Sequence, residues 1–419
     1  MKTLIADNDL KATQTAFTLY MCYLVSFFIH IPSRIPVLGL LRIDLILVLF
    51  IFVLISGKKL HQQTTSPIPK LLFILLVYSI LVIPFASWPG SVISKGIPEF
   101  IKAIIFFFFT YKLVLNEERL KKIIYLFILC NTFRVVEPLY LHITQGYWGS
   151  VTSFGWDQVG RLAGAPKDVI NANGLAFVIA SILPFYHYIF GSKGFLSKLV
   201  YWSVLPILLY TMSLTLSRSG ILAVVIIYGV IFLKSKRKLI FAALAVVGVI
   251  GFLSILDDVQ RDRYLSIVDG DTKSSSSAEG RVSGWSRDFE VAMVKPIFGH
   301  GLGTSAEANW NIAGETHRSH NLWTEVLQEL GFCGLIIWAL YVKAIYQGFR
   351  VTNEAVKTAT DTSPFIKSCL PAMQVWLMMN FLFSFASYGL SSYEWYLFGA
   401  FSAVLQRIVH QPKEEVATQ

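Results

Sequence analysis

Charge is scarce in this chain: only 15% of its 419 residues are Asp, Glu, Lys or Arg, against 54% hydrophobic. Soluble domains carry about 25% charged residues, so the shortage excludes an ordinary soluble fold and argues for a polytopic membrane protein. Cysteine is scarce as well. Cys22, Cys130, Cys333 and Cys369 form no CxxC pair and all lie in or beside apolar segments, which excludes a disulfide framework and a thiolate metal site. The loops show no DxD or other carboxylate cluster convincing enough as a Mg²⁺ ligand set. No internal repeat and no separate soluble domain are visible. The first apolar run, starting near Thr15, reads as a retained anchor rather than a cleavable signal.

What is abundant is apolar runs of the length that crosses a bilayer, about 17–25 residues. They fall near 15–32, 37–56, 70–87, 97–115, 120–142, 170–190, 197–217, 219–234, 239–256, 321–347, 365–388 and 394–409. The expectation is therefore an all-α integral membrane protein, a single polytopic domain over 1–419 with about twelve transmembrane helices. The net charge of +10 invites a nucleic-acid reading, but the basic residues sort to one side of such a bilayer. With the N-terminus inside, every inner loop is basic: Lys58, Lys59 and Lys70; Lys112, Arg119, Lys121 and Lys122; Lys193 and Lys198; Lys234 to Lys238; Lys343 to Lys367. The positive-inside rule then places both termini in the cytoplasm and leaves no need for nucleic acid.

Two outer segments are too long to be turns. One runs over 143–170 and holds Trp148, Trp156, Asp157, Arg161, Lys167 and Asp168. The other runs over 257–320. There a flexible serine run, Ser274–Ser277, precedes Trp285, Phe289 and Met293, whose spacing of four predicts a short amphipathic helix stopped by Pro296. Gly299, Gly301 and Gly303 follow as a glycine-rich turn that leads into Thr316–Gly334. Long loops in compact proteins are usually functional.

Topology gathers ionisable groups on the outer side. Arg218 closes the seventh span in TLSRSG, Arg281 lies in the long loop, His320 opens the tenth span and Arg161 belongs to the other loop. Arginines bind phosphate oxygens bidentately and stay charged, so this set suits a phosphate or diphosphate and the charge that develops as one departs. A histidine beside fixed cations is held neutral, able to take a proton from an attacking hydroxyl. The bland readings are an interfacial snorkelling residue for Arg218, a solvated loop residue for Arg281 and a capping residue for His320. His317, Arg318 and Arg287 read as supporting or solvated groups, and Asn171 and Asn173 as helix caps. Arg34 marks the end of a span. Arg134 reads as an internal ion pair with Glu137, three residues on along one helix face.

The order and spacing of these residues resembles a known family. His320-Asn321, nine residues, then Gly331-x-x-Gly334 is similar to the outer-loop motif of bacterial O-antigen ligases and the related O-antigen and exopolysaccharide polymerases. Ser217-Arg218 is similar to the family's arginine at the close of a span. Gly280-Arg281 with Trp285, then Lys295-Pro296 and Gly299-x-Gly301, resembles the stretch before the histidine motif, and Arg161 to Gly164 with Asn171 to Gly174 the earlier outer loop. The resemblance covers about 145–345. It implies a GT-C-like glycosyltransferase of the bacterial inner membrane, its active site facing the periplasm. The donor would be an oligosaccharide or polysaccharide on undecaprenyl diphosphate. Arg218 and Arg281 would bind the diphosphate and His320 would deprotonate the acceptor hydroxyl, with Arg161, His317, Arg318 and Asn321 as further substrate contacts. Displacement would invert the anomeric centre without metal, cofactor or nucleotide sugar. The acceptor would be the lipid A core in a ligase or another repeat unit in a polymerase, and both stay open. The alternative is a transporter or flippase of lipid-linked oligosaccharide, against which stand the one-sided polar groups and the missing repeat.

Overall fold

The computed structural model describes residues 2–56, 66–154, 157–191, 194–235, 238–239, 276–314, 319, 321–359, 362–385, 387 and 389–410. Its long helices are α1 (Lys2–Ile29), α2 (Ile43–Ile55), α3 (Ile68–Leu81), α4 (Ile97–Leu113), α5 (Glu117–Gln145), α6 (Ala172–Phe185), α7 (Phe195–Leu214), α8 (Arg218–Lys234), α9 (Ser276–Val294), α10 (Ser305–Ala313), α11 (Leu322–Thr358), α12 (Pro364–Phe383) and α13 (Tyr393–His410). The one sheet among the described residues is a hairpin of β1 (Gly149–Phe154) and β2 (Asp157–Leu162), so the protein is nearly all-α.

Among the described residues, five stretches are long and apolar enough to cross a membrane: Ala12–Ile29, Glu117–Gln145, Ala172–Phe190, Phe195–Leu214 and Leu322–Thr358. The protein is a multi-pass membrane protein. Helices suit that solvent because each satisfies its own backbone hydrogen bonds. The remaining expected spans within the described residues also meet helices, among them the shorter apolar α2 and α3. The span expected at 239–256 lies, beyond Leu239, outside the described residues. Large apolar side chains stay exposed along α2, including Leu49, Phe50 and Val53, a surface suited to lipid rather than water.

The chain divides into two compact units, interleaved in sequence: Met1–Lys58, Leu120–Ser276 and Pro364–Met379 form one, and Lys59–Arg119, Ser277–Ser363 and Asn380–Gln419 the other. The first unit is centred on rings. Phe127 lies 5.5 Å from Phe28, 5.7 Å from Phe185 and 5.0 Å from Trp376, centroid to centroid. Such aromatic pairs add about 0.5–1.5 kcal/mol beyond their burial. The second unit has its own aromatic centre in Trp338, Tyr341, Tyr396 and Phe100. Small residues let α11 and α13 close on each other there. A Cβ at Gly399 would stand 2.3 Å from the Tyr341 hydroxyl oxygen, and Ser402 Oγ donates to Ile345 O at 3.0 Å.

The structure refines several expectations. The segment 143–170, expected as a long outer loop, folds as the tail of α5, the hairpin and a short loop. The helix expected around Trp285 is present as α9 and begins at Ser276, inside the run read as flexible. Arg134 and Glu137 do not pair. Arg134 Nε reaches both oxygens of the fully buried Asp168 at 3.1 and 3.0 Å, while Glu137 takes a forked pair from Arg34 at 2.6 and 2.5 Å. An exposed i,i+3 pair contributes only about 0.2–0.5 kcal/mol, whereas a buried carboxylate left without a cation is far costlier. Asp168 therefore takes the arginine, and Arg34 joins an ion pair rather than only marking a span end.

Candidate functional site

In the first unit, residues expected on the outer side meet at one end. Helices α6 and α8 start beside each other there. Asn171 caps α6 by accepting from Gly174 N at 2.8 Å, and Ser217 caps α8 by accepting from Gly220 N at 3.1 Å. Gly220 is what lets them approach: a Cβ on it would stand 2.6 Å from Ala176 Cβ. The corner before α8 is tight, with Leu216 at φ 48°, a left-handed conformation uncommon for a leucine.

Arg161, at the end of β2, ties the corner together. Its Nε donates to Thr215 O at 3.0 Å and its Nη2 to Asn173 Oδ1 at 2.8 Å. The same oxygen accepts from Ser217 Oγ at 2.9 Å. Asn171 is thus the expected cap, whereas Asn173 is not one: it is the acceptor that joins hairpin, α6 and α8. Arg218, half-buried, is the first residue of α8. Two helix N-termini, each equivalent to about half a positive charge, stand beside Arg161 and Arg218. Such an arrangement accepts an anion.

In the second unit the segment leading to the expected base is pinned on both sides. Ser319 Oγ donates to Asn321 O at 3.0 Å and lies 2.7 Å from Thr324 Oγ1. Asn321, 6% exposed, caps α11 by accepting from Trp323 N at 2.9 Å and Thr324 N at 3.4 Å. Its side chain is committed to the cap. Glu325, one turn on, accepts from Gly389 N at 2.7 Å and Leu390 N at 3.1 Å. His317, Arg318 and His320 lie outside the described residues. Arg281 falls on the backbone of α9, and its side chain lies outside them too.

The glycines of the motif have a structural cause. Helix α11 is broken at Gly331, whose φ of 66° and ψ of −171° are open essentially to glycine alone. The break frees carbonyls, and the glycine-rich turn takes them: His300 N donates to Gln328 O at 2.7 Å and Gly301 N to Glu329 O at 2.9 Å. Phe332 N donates back to Pro296 O at 2.7 Å, and Tyr78 OH takes Leu330 O at 2.8 Å. Gly299 and Gly331 allow this contact, because a Cβ on either would meet backbone atoms at 2.4 and 2.2 Å. Glu329 adds its side chain, accepting from Gly303 N at 2.7 Å.

Sequence reasoning missed three groups. His300, 1% exposed, lies 2.9 Å from Val291 O through Nε2 and 3.0 Å from Ser87 Oγ through Nδ1. Because Val291 O only accepts, Nε2 carries the proton and Nδ1 accepts from the serine, so the ring is neutral. Burial, with Lys295 nearby, pushes its pKa below the ordinary value. Asp288, Asn309 and Gln328 form a buried amide–carboxylate knot between α9, α10 and α11. The third group is His30 with Asp168, joined at 2.5 Å. A lone histidine or carboxylate in sequence shows none of these partners; only the tight prolines of His30–Pro36 hinted at a built turn. Among the described residues no group of three or more His, Cys, Asp or Glu could hold a metal ion.

A multi-pass membrane protein with an anion-accepting corner in one unit and a kinked, glycine-broken helix in the other is the class that fold and site define. Residues 203–339 match the family described as O-antigen ligase, which supports the O-antigen ligase superfamily that the motifs resemble. The match takes in Ser217-Arg218, Arg281, His320, Gly331 and Gly334, and leaves Arg161 outside. The chain is also similar to the probable peptidoglycan glycosyltransferase FtsW of Aromatoleum aromaticum, 33% identical over 135 residues that make up 32% of each chain. It thus spans about a third of that relative's length.

Proposed function

We propose that the protein transfers a glycan from undecaprenyl diphosphate to an acceptor sugar hydroxyl at the periplasmic face of the inner membrane, in the making of a surface polysaccharide. The observation that carries this reading is the corner where Arg161, Arg218 and the N-termini of α6 and α8 converge. A diphosphate fits it in charge and in donor geometry. In this reading Arg218, joined by Arg281, neutralises the leaving diphosphate, and His320 takes the proton of the attacking hydroxyl. Direct displacement inverts the anomeric carbon and needs no metal. The pinned residues Ser319 and Asn321 on either side of His320 suit a base that must be held in place. The O-antigen ligase match over 203–339 and the likeness to a probable peptidoglycan glycosyltransferase support the same chemistry.

Deleting the gene and separating surface glycans on a gel tests it. Loss of a ligase leaves unsubstituted lipid A core with polymer stranded on the carrier. Loss of a polymerase leaves core bearing one repeat, or no exopolysaccharide. Unchanged glycan would overturn the reading.

A further inference from the structure

We infer that His30, held by Asp168, is a carbohydrate-hydroxyl binding site in the first unit, made of other residues than the diphosphate corner. The inference rests on the glycan-transfer reading above for the class of ligand. The turn that carries His30 is built with unusual care. His30 adopts φ 57° and ψ 47°, a left-handed conformation that costs a non-glycine residue about 1–2 kcal/mol. Arg34 holds the turn closed, its Nε donating to Ile29 O at 2.6 Å and its other nitrogens forking onto Glu137. Strain kept in place by its surroundings is concentrated at functional sites.

The side chain is arranged like a binding group. Asp168 is fully buried and His30 is one-third exposed, with Nδ1 at 2.5 Å from Asp168 Oδ1. A carboxylate can only accept, so Nδ1 carries the proton toward Asp168 and Nε2 is the ring atom left to meet a ligand. Nε2 has no hydrogen-bond partner among the described residues.

Charge decides what it takes. Arg134 neutralises Asp168, and Arg34 neutralises Glu137. Apart from the exposed Lys167, the cluster has no surplus charge with which to draw an anion or a cation. A ring nitrogen in a balanced cluster suits an uncharged partner, and a sugar hydroxyl is the partner that this reaction supplies. The Asp168 loop, 163–170, continues directly from Arg161, so the hydroxyl site and the diphosphate corner hang on one segment of chain.

The test separates the hydroxyl-binding nitrogen from the strut. In His30→Asn the amide nitrogen replaces Nδ1–H toward Asp168, asparagine tolerates the left-handed backbone, and only Nε2 is lost. The full-length protein in detergent is titrated with two probes followed by saturation-transfer NMR: the free core oligosaccharide and the free repeat-unit oligosaccharide of the same bacterium. Expected is a native thermal midpoint for the variant, with affinity for one of the two probes lowered about tenfold, the size of one lost hydrogen bond. Which probe responds assigns the site to acceptor or donor glycan. If His30→Asn unfolds, His30→Gln, which places an amide oxygen near the Nε2 position, is to retain binding that His30→Ala loses. Unchanged affinity for both probes in a folded His30→Asn protein overturns the inference, as does a wild-type protein that binds neither. Wild-type protein that binds glycan through His30 yet transfers none sinks the transferase reading alone.

Discussion

Gly331 lies against the backbone of Ile297 so closely that a Cβ on it would stand 2.2 Å from the Ile297 carbonyl oxygen. That contact locks the glycine-rich turn onto the break in α11 and so fixes the short helix that begins beside His320. Gly331→Ala must therefore both leave a conformation that excludes alanine and push back a backbone oxygen. We expect destabilisation of about 3 kcal/mol or more, seen as a lower thermal midpoint in detergent and reduced yield of folded protein. A variant as stable as the parent would show that the break is incidental.

Asn173 accepts from both Arg161 and Ser217 through one oxygen. Asn173→Ala leaves two donors without that partner, at a cost of about 1–3 kcal/mol where they stay buried. Its larger effect falls on Arg161, which loses one of the contacts that aim it. Transfer is expected to fall at least tenfold with the protein still inserted and folded. Arg161→Lys should do the same, because an ammonium cannot reach Thr215 O and Asn173 in the forked manner of a guanidinium. Measured activity within twofold of wild type in both variants would remove the corner from substrate binding.

How far the sequence could be read depended on the range of the interaction. Long apolar runs disclose helices because burial in lipid acts residue by residue, and the α9 pattern of Trp285, Phe289 and Met293 needed only local periodicity. The cap Asn171 is local as well, whereas Asn173, expected as a second cap, joins three segments instead. The motif glycines were visible as letters, but their cause, a turn at 296–301 meeting a helix break at 328–332, is a contact between segments some thirty residues apart. Arg134 shows the limit most clearly. Its nearest acid in sequence is Glu137, yet Asp168, 34 positions away, is fully buried and claims it. Pairings decided by desolvation are invisible until the fold shows which group is buried.

Arg218 opens α8 directly after its cap, and a guanidinium there adds to the field of the helix terminus. If the leaving diphosphate is held this way, Arg218→Ala abolishes transfer while leaving membrane insertion intact. Arg218→Lys keeps the charge but loses the fork, and should remain poor. His320→Ala should be as inactive as Arg218→Ala. EDTA is expected to have no effect on the purified protein's transfer rate. Strong inhibition that Mg²⁺ restores would show instead that a divalent cation neutralises the diphosphate.

His300 gives the pH dependence of the fold a direction. The ring is neutral in the native protein, donating to Val291 O and accepting from Ser87, and its pKa lies below the ordinary 6.5 because it is buried, with Lys295 adding to the effect. In the unfolded chain the same ring takes up a proton near 6.5, so below that pH the unfolded state binds more protons than the native one. The contribution is therefore complete above about pH 6.5 and is lost as pH falls from there toward the lowered native value. The measurement is the thermal midpoint of wild type and His300→Gln at pH 7.5 and 5.5. Wild type should lose more on acidification than the variant, whose amide cannot titrate. The variant should start lower at pH 7.5, because glutamine cannot reproduce both ring contacts in that pocket. An equal acid-induced drop in the two proteins would place the titration elsewhere.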